Sequence, residues 1–393
     1  MKRILFLYHQ GNVGLRAQNT VRTLLEARYA VHFLYWKRDK YNAEDYFDSD
    51  LYGKSNFKVE SYIFPFSHFS FLSILTLPVM YLRLFLKLRS FRWDIVHITH
   101  ILFLAPAVFL TRIRGKKFIY DVFEFYYLNA KTKLPYFLNW LGDVLHYFEC
   151  ILAKQAVAIF TIDSRQEKLK RDYERFNKNV NVIYNVPRKN YITEVKRFQF
   201  DLKEKIMIYI GGINEQKGIN KAVESLLKIR KRYTDVRLLL IGKIEENYKK
   251  ILTDSIRKNS LEHAVEIKEW MSFGETISYL ETAYVGLALH QPTNMIYRYV
   301  SRGNASKFFA YMQAGIPTVG SNRHEIAKVI EEEEAGILVD TTNTEEIVKA
   351  IEKLFGNSKM ALEMAKNGMR AVRKKYNWEN EKQKIIKAYE KVQ

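Results

Sequence analysis

A lysine beside a predicted helix start forms the clearest candidate chemical site in the sequence. The segment 301–321 (SRGNASKFFAYMQAGIPTVGS) predicts a short helix capped by Asn304 or Ser306, followed by a strand from Thr318. Lys307 lies in the first helical turn, where a cation opposes the helix dipole unless an anion binds there. A diphosphate would fit this position, and an ordinary solvated lysine on a surface helix fits these residues equally well.

A second pattern of glycines and a lysine occurs in GGINEQKG, directly after the apolar run 206–210. The backbone N–H groups of Gly211 and Gly212 can face a ligand, and Lys217 places a point charge just before the next predicted helix. This also indicates an anion site, with a glycine turn and a solvated lysine as the alternative. Gly11 and Gly14, near the start of the chain, do not have the spacing of the dinucleotide fingerprint.

Polar residues also lie at or near the ends of predicted strands in the first half of the chain. His97, Asp121, Glu124 and Asp163 are the candidates. In parallel sheets ligands bind beyond the carboxyl ends of the strands, so these residues are expected near a binding site. A purely structural role is the alternative for each of them.

The elements that must position these residues are apolar strands that alternate with helices. The predicted strands are Lys2–Tyr8, Val31–Trp36, Asp94–Thr99, Lys116–Asp121, Ala156–Ile162, Val180–Tyr184, Ile206–Ile210, Val236–Ile241, Val265–Lys268, Val285–Leu289, Thr318–Val319 and Gly336–Val339. Continuous apolar strands predict parallel sheets covered on both faces. The length of 393 residues predicts two α/β domains, and the polar stretch 188–204 is the expected linker.

Composition and charge narrow the functional classes. The single cysteine, Cys150, excludes an intrachain disulfide framework, and no secretory leader is evident, so a cytoplasmic location is expected. The net charge is +20, of which residues 1–190 carry +13. Such a surface favours anionic partners. No nucleic-acid-binding module or Arg-rich arm is present, so nucleic acid is not expected as the partner.

An apolar and aromatic stretch interrupts the first half. Residues 64–82 contain no Lys, Arg, Asp or Glu, and the basic segment that follows reaches Trp93. Its length is close to that of a membrane span, but Pro78 and several polar residues argue against one. Aromatic residues beside arginines and lysines favour a helix over 64–93 that lies in a membrane interface. A buried domain helix is the alternative.

With these motifs in hand, the chain is identified as resembling glycosyltransferase family 4 over nearly its whole length. In the second half the resemblance rests on IGGINEQKG, VGLAL, SKFFAYMQAGIPTVGS and HEIAKVIEEEEAGILVD. In the first half it rests on WDIVHITH, YDVFEFY and VIYNVP, and at the end on YNWENEKQKIIKAYEKV. The motifs together, rather than any one of them, identify the family.

The resemblance implies the GT-B fold, with two Rossmann-like domains whose parallel sheets face each other across a cleft. It implies an acceptor-binding domain over residues 1–190, a nucleotide-sugar-binding domain over 191–375 and a last helix, 376–393, that returns to the first domain. The implied activity is retaining, metal-independent transfer of a hexosyl group from a nucleotide-sugar, without a cofactor. The acceptor expected is a lipid-linked or surface polysaccharide at the cytoplasmic face of the plasma membrane, with the enzyme bound peripherally to an anionic membrane surface.

The resemblance also implies roles for individual residues. Lys217 and Glu124 are the expected catalytic residues, and His97, Asp121 and Glu124 lie on the acceptor side. The donor-binding set is Gly14, Gly212, Lys217, Asn304, Ser306, Lys307 and Glu325.

Four polar positions of the family pattern are absent. They fall on Gly212, Arg302, Ala310 and Phe123. Arg298, Arg302 and Arg323 are candidates to compensate. The departures keep open a second reading, a catalytically silent GT-B protein that binds a partner or a sugar nucleotide; an epimerase or phosphorylase is a third.

Overall fold

The computed structural model describes residues 1–37, 42–47, 49–63, 73–162, 168–189, 205–271, 273–292, 306–323 and 327–392. The chain forms two compact units. The first contains Met1–Tyr184 together with Asn380–Gln393, and the second contains Asn185–Glu379.

The first unit is built on a seven-stranded parallel sheet. Its strands are β1 (Arg3–Tyr8), β2 (Ala30–Trp36), β3 (Phe57–Tyr62), β4 (Ile95–Ile98), β5 (Lys117–Asp121), β6 (Ala158–Thr161) and β7 (Val180–Val182). All are joined by parallel ladders in the order β3-β2-β1-β4-β5-β6-β7. The six strands predicted here are confirmed. The edge strand β3 is not among them, because its half-buried, partly charged sequence FKVESY lacks an apolar run.

Helices connect these strands. They are α1 (Leu15–Glu26), α2 (Ser49–Tyr52), α3 (Ser73–Ser90), α4 (Ile101–Ile113), α5 (Tyr126–Lys133), α6 (Trp140–Ala153) and α7 (Lys168–Glu174). Short 3-10 turns cover Ala43–Tyr46 and Tyr136–Leu138. The strand order reverses between β1 and β4, so the loops after these two strands diverge and leave a crevice at the carboxyl edge of the sheet.

The second unit repeats this plan with six parallel strands. They are β8 (Ile206–Ile210), β9 (Arg237–Ile241), β10 (Val265–Lys268), β11 (Val285–Ala288), β12 (Thr318–Ser321) and β13 (Gly336–Val339), in the order β10-β9-β8-β11-β12-β13. All six were predicted from the sequence. Here the order reverses between β8 and β11, which places the switch point beside the glycine loop after β8.

The helices of the second unit cover both faces of its sheet and bury the core between them. They are α8 (Ile219–Ile229), α9 (Glu246–Lys258), α10 (Phe273–Leu280), α11 (Ser306–Gln313), α12 (Ala327–Glu332), α13 (Thr344–Phe355) and α14 (Ser358–Lys374). The last helix, α15 (Trp378–Glu390), begins in the second unit and continues into the first. There the Lys2 Nζ donates a hydrogen bond to the Val392 carbonyl at 3.0 Å.

The apolar stretch predicted as an interface helix is only partly described. Residues 64–72 lie outside the described residues, and 73–90 form helix α3. Leu84 and Leu88 are buried, whereas Leu82 and Leu86 are more than half exposed, so α3 has one face in the core and one apolar face outside. No helix in the described ranges is long and apolar enough to cross a membrane.

Candidate functional site

The loop after β8 requires glycine at one of its two glycine positions. Gly211 has φ +121°, and a Cβ there would lie 3.0 Å from the Lys307 Nζ. Gly212 faces open space, since a Cβ there would meet nothing within 4 Å, and its carbonyl accepts a hydrogen bond from the Tyr209 hydroxyl at 2.7 Å. The close approach of backbone to a lysine is therefore made by Gly211, while Gly212 leaves room for a ligand.

Lys307 reaches this loop from the first turn of α11. Its Nζ donates to the Tyr209 hydroxyl at 3.1 Å and lies 4.4 Å from the centroid of that ring. Burial lowers the pKa of Lys307 well below its ordinary value of 10.5, and the positive charge of Lys217 lowers it further. No acidic side chain of the described ranges pairs with Lys307. The ammonium therefore lies in a site where an anion would stabilise it.

Lys217 is positioned by the turn that links β8 to α8. It ends the 3-10 helix Glu215–Lys217, and its backbone N–H donates to the Asn214 side chain at 3.0 Å. Gly218 follows with φ +75°, and a Cβ there would lie 2.0 Å from the Leu289 carbonyl oxygen. Only glycine fits this contact, so the turn is packed against the end of β11. The result brings the Lys217 charge close enough to act on Lys307.

Only some of the other residues predicted on the donor side are described by the structure. Asn304 and Glu325 lie outside the described residues, as do Arg298 and Arg302. Ser306 is the first helical residue of α11 and is exposed. Arg323 forms an ion pair with Asp340 at 2.7 Å, so its charge is already matched within the second unit.

At the edge of the first unit, Gly14 precedes helix α1. Its N–H donates to the Tyr8 hydroxyl at 3.0 Å, and its φ of −67° is available to any residue. Burial raises the pKa of Tyr8, the Gly14 N–H offsets part of this, and the negative charge of Glu124 raises the pKa again. Gly14, Tyr8 and Glu124 therefore lie together at the crevice between β1 and β4.

Glu124 is the exposed member of the predicted acceptor-side set. It follows β5, and its Oε2 accepts a hydrogen bond from the Asn129 side chain at 3.0 Å. The family pattern's histidine falls on the preceding residue, Phe123, whose ring lies 5.1 Å from the Arg16 guanidinium. A carboxylate in this position can accept a proton or a hydrogen bond from a hydroxyl ligand.

His97 and Asp121 have a different environment, because both are completely buried. Asp121 binds the buried guanidinium of Arg16, and its Oδ2 lies 3.3 Å from the His97 Nε2. The His97 Nδ1 and the Tyr389 hydroxyl are hydrogen-bonded at 2.7 Å. Burial lowers the pKa of His97, although its hydrogen bond to Asp121 acts in the opposite direction. These two side chains tie the sheet to α1 and α15, and their predicted contact with an acceptor stays a prediction.

Comparisons with known proteins identify the fold of the chain. Residues 190–371 match the family model described as glycosyl transferases group 1. The structure of sucrose-phosphate synthase from Thermosynechococcus elongatus superposes with a TM-score of 0.74 and 16% identity, covering 100% of this chain and 99% of that one. The structure of Anabaena HepE in complex with UDP superposes with a TM-score of 0.70 and 14% identity, covering 99% of this chain and 100% of that one. The chain has the GT-B fold.

A further GT-B neighbour is WaaG, a glycosyltransferase involved in lipopolysaccharide biosynthesis. Its TM-score is 0.65 at 11% identity, with coverage of 97% of this chain and 98% of that one. No curated protein sequence matches the chain. The family match covers the GT-B unit that contains Gly211, Lys217 and Lys307, and ends before α15.

Sequence reasoning missed one residue of this candidate site. Tyr209 contacts Lys307 with both its hydroxyl and its ring. Tyr209 was hidden because a tyrosine in an apolar strand is typical of a core position. Its place next to the glycine pair, one residue from the end of β8, is the signal that could have identified it.

Proposed function

We propose that this GT-B protein is a retaining glycosyltransferase that uses a nucleotide-sugar donor. The observation that carries the proposal is the position of the partly buried Lys307 ammonium, which lies against Lys217 and the Gly211 turn and has no acidic partner within the described residues. A diphosphate provides the missing negative charge. HepE structures contain UDP and UDP-glucose, so uridine diphosphate sugars are the first donors to test.

The chemistry follows from charge. In the proposed reaction the bond between the anomeric carbon and the diphosphate oxygen breaks, and the acceptor hydroxyl oxygen forms the new bond to that carbon on the same face. The hydroxyl proton passes to the departing phosphate. Lys217, Lys307 and the N-terminal N–H groups of α11 stabilise the charge that develops on the leaving group, and this role needs no metal ion.

The acceptor side of the proposal rests on the first unit. Glu124 is exposed at the carboxyl edge of the sheet and would accept a hydrogen bond from an acceptor hydroxyl. We propose a lipid-linked or surface-polysaccharide acceptor at the cytoplasmic face of the plasma membrane, because WaaG acts in lipopolysaccharide biosynthesis and the first half of the chain is strongly basic.

The first test is nucleotide binding measured by calorimetry. UDP, GDP, ADP and their sugars are titrated into the protein and into the Lys217→Ala and Lys307→Ala variants. Lys228→Ala is the matched control. It also removes one positive charge from the second unit, but Lys228 is paired with Glu345. We expect one nucleotide to bind the parent and the control, and to bind both site variants at least tenfold more weakly. Equal affinity in all four proteins would refute the donor site.

A second candidate is a GT-B protein that binds a sugar nucleotide without turnover. It is favoured by Ala310, where the family pattern has a glutamate: this residue is 1% exposed and packs in a core cluster with Ile208 and Tyr311. Product analysis with the bound nucleotide-sugar separates the two. Transfer or slow hydrolysis that is unchanged by EDTA supports the metal-independent enzyme, whereas binding with no turnover supports the silent protein.

A further inference from the structure

Helix α6 of the first unit has its polar and apolar faces reversed. Its buried residues are small or polar: Gly142, His146, Glu149, Cys150 and Ala153. Its outward face carries large apolar side chains that are 36% to 57% exposed: Trp140, Leu141, Val144, Leu145, Tyr147, Phe148 and Ile151. A surface helix of a soluble domain normally buries its apolar stripe. The reversal indicates an apolar environment outside the unit.

The inward polar residues fix this orientation. The His146 Nδ1 lies 3.2 Å from the Glu149 carboxylate, and its Nε2 lies 3.1 Å from the Asp172 carboxylate. The Tyr120 hydroxyl also donates to Glu149. Rotating the helix to bury its apolar face would break these hydrogen bonds inside the unit and leave the buried charges of Glu149 and Asp172 without the His146 partner. The outward face is therefore specified by the sequence.

The apolar surface continues into the turn before α6 and onto α4. Tyr136 is 91% exposed and Phe137 is 75% exposed, and Phe109 on α4 is 57% exposed. Five exposed aromatic rings between 136 and 148 present on the order of 600 Å² of apolar surface, more than a monomer usually leaves uncovered. We call residues 136–151 the α6 face.

The charges of the neighbouring helices indicate which partner binds the α6 face. Helices α3 and α4, which pack in a row with α6, and the cap of α4 carry no acidic residue and five basic ones, of which Lys87 is paired with Glu60: Arg83, Lys87, Arg89, Arg112 and Arg114. The exposed acid on α6, Asp143, is paired with Lys131 at 2.6 Å. An apolar surface with aromatic rings and a basic rim matches an anionic bilayer interface. Two copies of a chain with net charge +20 would repel each other.

We propose that the α6 face docks this protein onto an anionic phospholipid membrane, with α6 lying in the interface plane and its rings at headgroup depth. This deepens the membrane part of the proposed function and rests on it for location only, not for donor chemistry. It differs from the sequence prediction, which placed the contact on 64–93. Helix α3 then lies at the rim and contributes mainly charge.

The test is co-sedimentation of the full chain with vesicles of phosphatidylglycerol and phosphatidylcholine, and with phosphatidylcholine alone. Trp140→Ser with Phe148→Ser removes two rings that are each 57% exposed, so folding is retained, and circular dichroism checks it. Leu82→Ser with Leu86→Ser on α3 is the control, matched at 60% and 53% exposure. Nucleotide binding is measured on the same samples, and light scattering gives the mass in solution.

We expect binding to anionic vesicles that weakens in high salt. The α6 variant should bind roughly 10- to 100-fold more weakly, given the apolar area lost, with nucleotide affinity unchanged. The α3 variant should change binding less than threefold. Loss of binding in the α3 variant with full binding in the α6 variant overturns the proposal. A dimer in solution that the α6 variant abolishes, without vesicle binding, also overturns it and identifies the face as a self-contact.

Discussion

Replacing Lys307 by methionine is expected to stabilise the free protein and weaken nucleotide binding at the same time. Methionine has a similar length and no charge, so it keeps the packing against Tyr209. In the free protein the ammonium is partly buried, contacts a hydroxyl and a ring, and is repelled by Lys217. Removing it relieves that cost. In the nucleotide complex the same change removes a charge-assisted hydrogen bond.

Nucleotide affinity should fall while thermal stability rises. A hydrogen bond to a charged group contributes about 1.5–3 kcal/mol, so affinity should fall roughly 10- to 150-fold. Each kcal/mol of added stability raises the Tm of a unit of this size by about 2–4 °C, and we expect a rise of at least about 2 °C. Because the folded pKa of Lys307 is depressed, its cost grows as pH falls from 10.5 toward that pKa. The stability gain of the variant should therefore be larger at pH 6 than at pH 9.

The assay is thermal unfolding without ligand at several pH values, with calorimetric titration of the nucleotide on the same samples. Lys228→Met serves as the control, since it removes an exposed lysine paired with Glu345. A lower Tm with unchanged nucleotide affinity would refute the reasoning, because it would show that Lys307 stabilises the fold through Tyr209 rather than binding an anion.

Three other substitutions test the surrounding structure. Gly211→Ala should destabilise the second unit by about 1–3 kcal/mol, because of its φ of +121° and the Lys307 contact, whereas Gly212→Ala should change the free energy of unfolding little; equal losses of stability for the two variants in denaturation would contradict this. Asp121→Leu should lower the free energy of unfolding by about 3–5 kcal/mol, because it leaves the buried Arg16 charge without its partner. Adding Arg16→Met should recover part of this loss, as measured by guanidinium denaturation. Burial alone would lower the pKa of His146, but hydrogen bonds to Asp172, Cys150 and Glu149 raise it to about 11. His146→Gln should therefore lower the free energy of unfolding by about 3 kcal/mol, and this loss should be largest below pH 6.5 and shrink as the pH rises toward 11. A loss that grows with pH would show that the imidazolium is not the stabilising form.

The sheets were predictable because their strands are apolar runs. All twelve predicted strands appear, since a strand buried on both faces needs no information from distant residues. The roles of the glycines were less accessible. Two adjacent glycines in the sequence do not disclose which one takes φ +121°; that choice depends on Lys307, almost a hundred residues away, and on Gly242, which packs against the Gly211 carbonyl.

The burial of His97 and Asp121 could not be predicted for the same reason. Their charge partner, Arg16, comes from α1, and Tyr389 comes from the last helix, so the network exists only in the folded unit. For helix α6 the sequence pattern predicts the wrong face as the buried one. Its period identifies two faces, but apolar composition favours burying the face that the structure leaves outside, because the polar partners Tyr120 and Asp172 lie on other elements.

The two units differ in how their charged side chains are paired, and this difference supports the proposed anion site. In the first unit each central buried charge has an internal partner: Arg16 has Asp121, and His146 has Glu149 and Asp172. Burying a charge without a partner costs several kcal/mol, so an exception marks a group that is completed by a ligand. Lys307 is partly buried and has no acidic partner within the described residues of the second unit, and it lies at the strand-order switch point of the unit that matches the glycosyltransferase family model. A negatively charged donor at this position is the completion that both the charge and the topology favour.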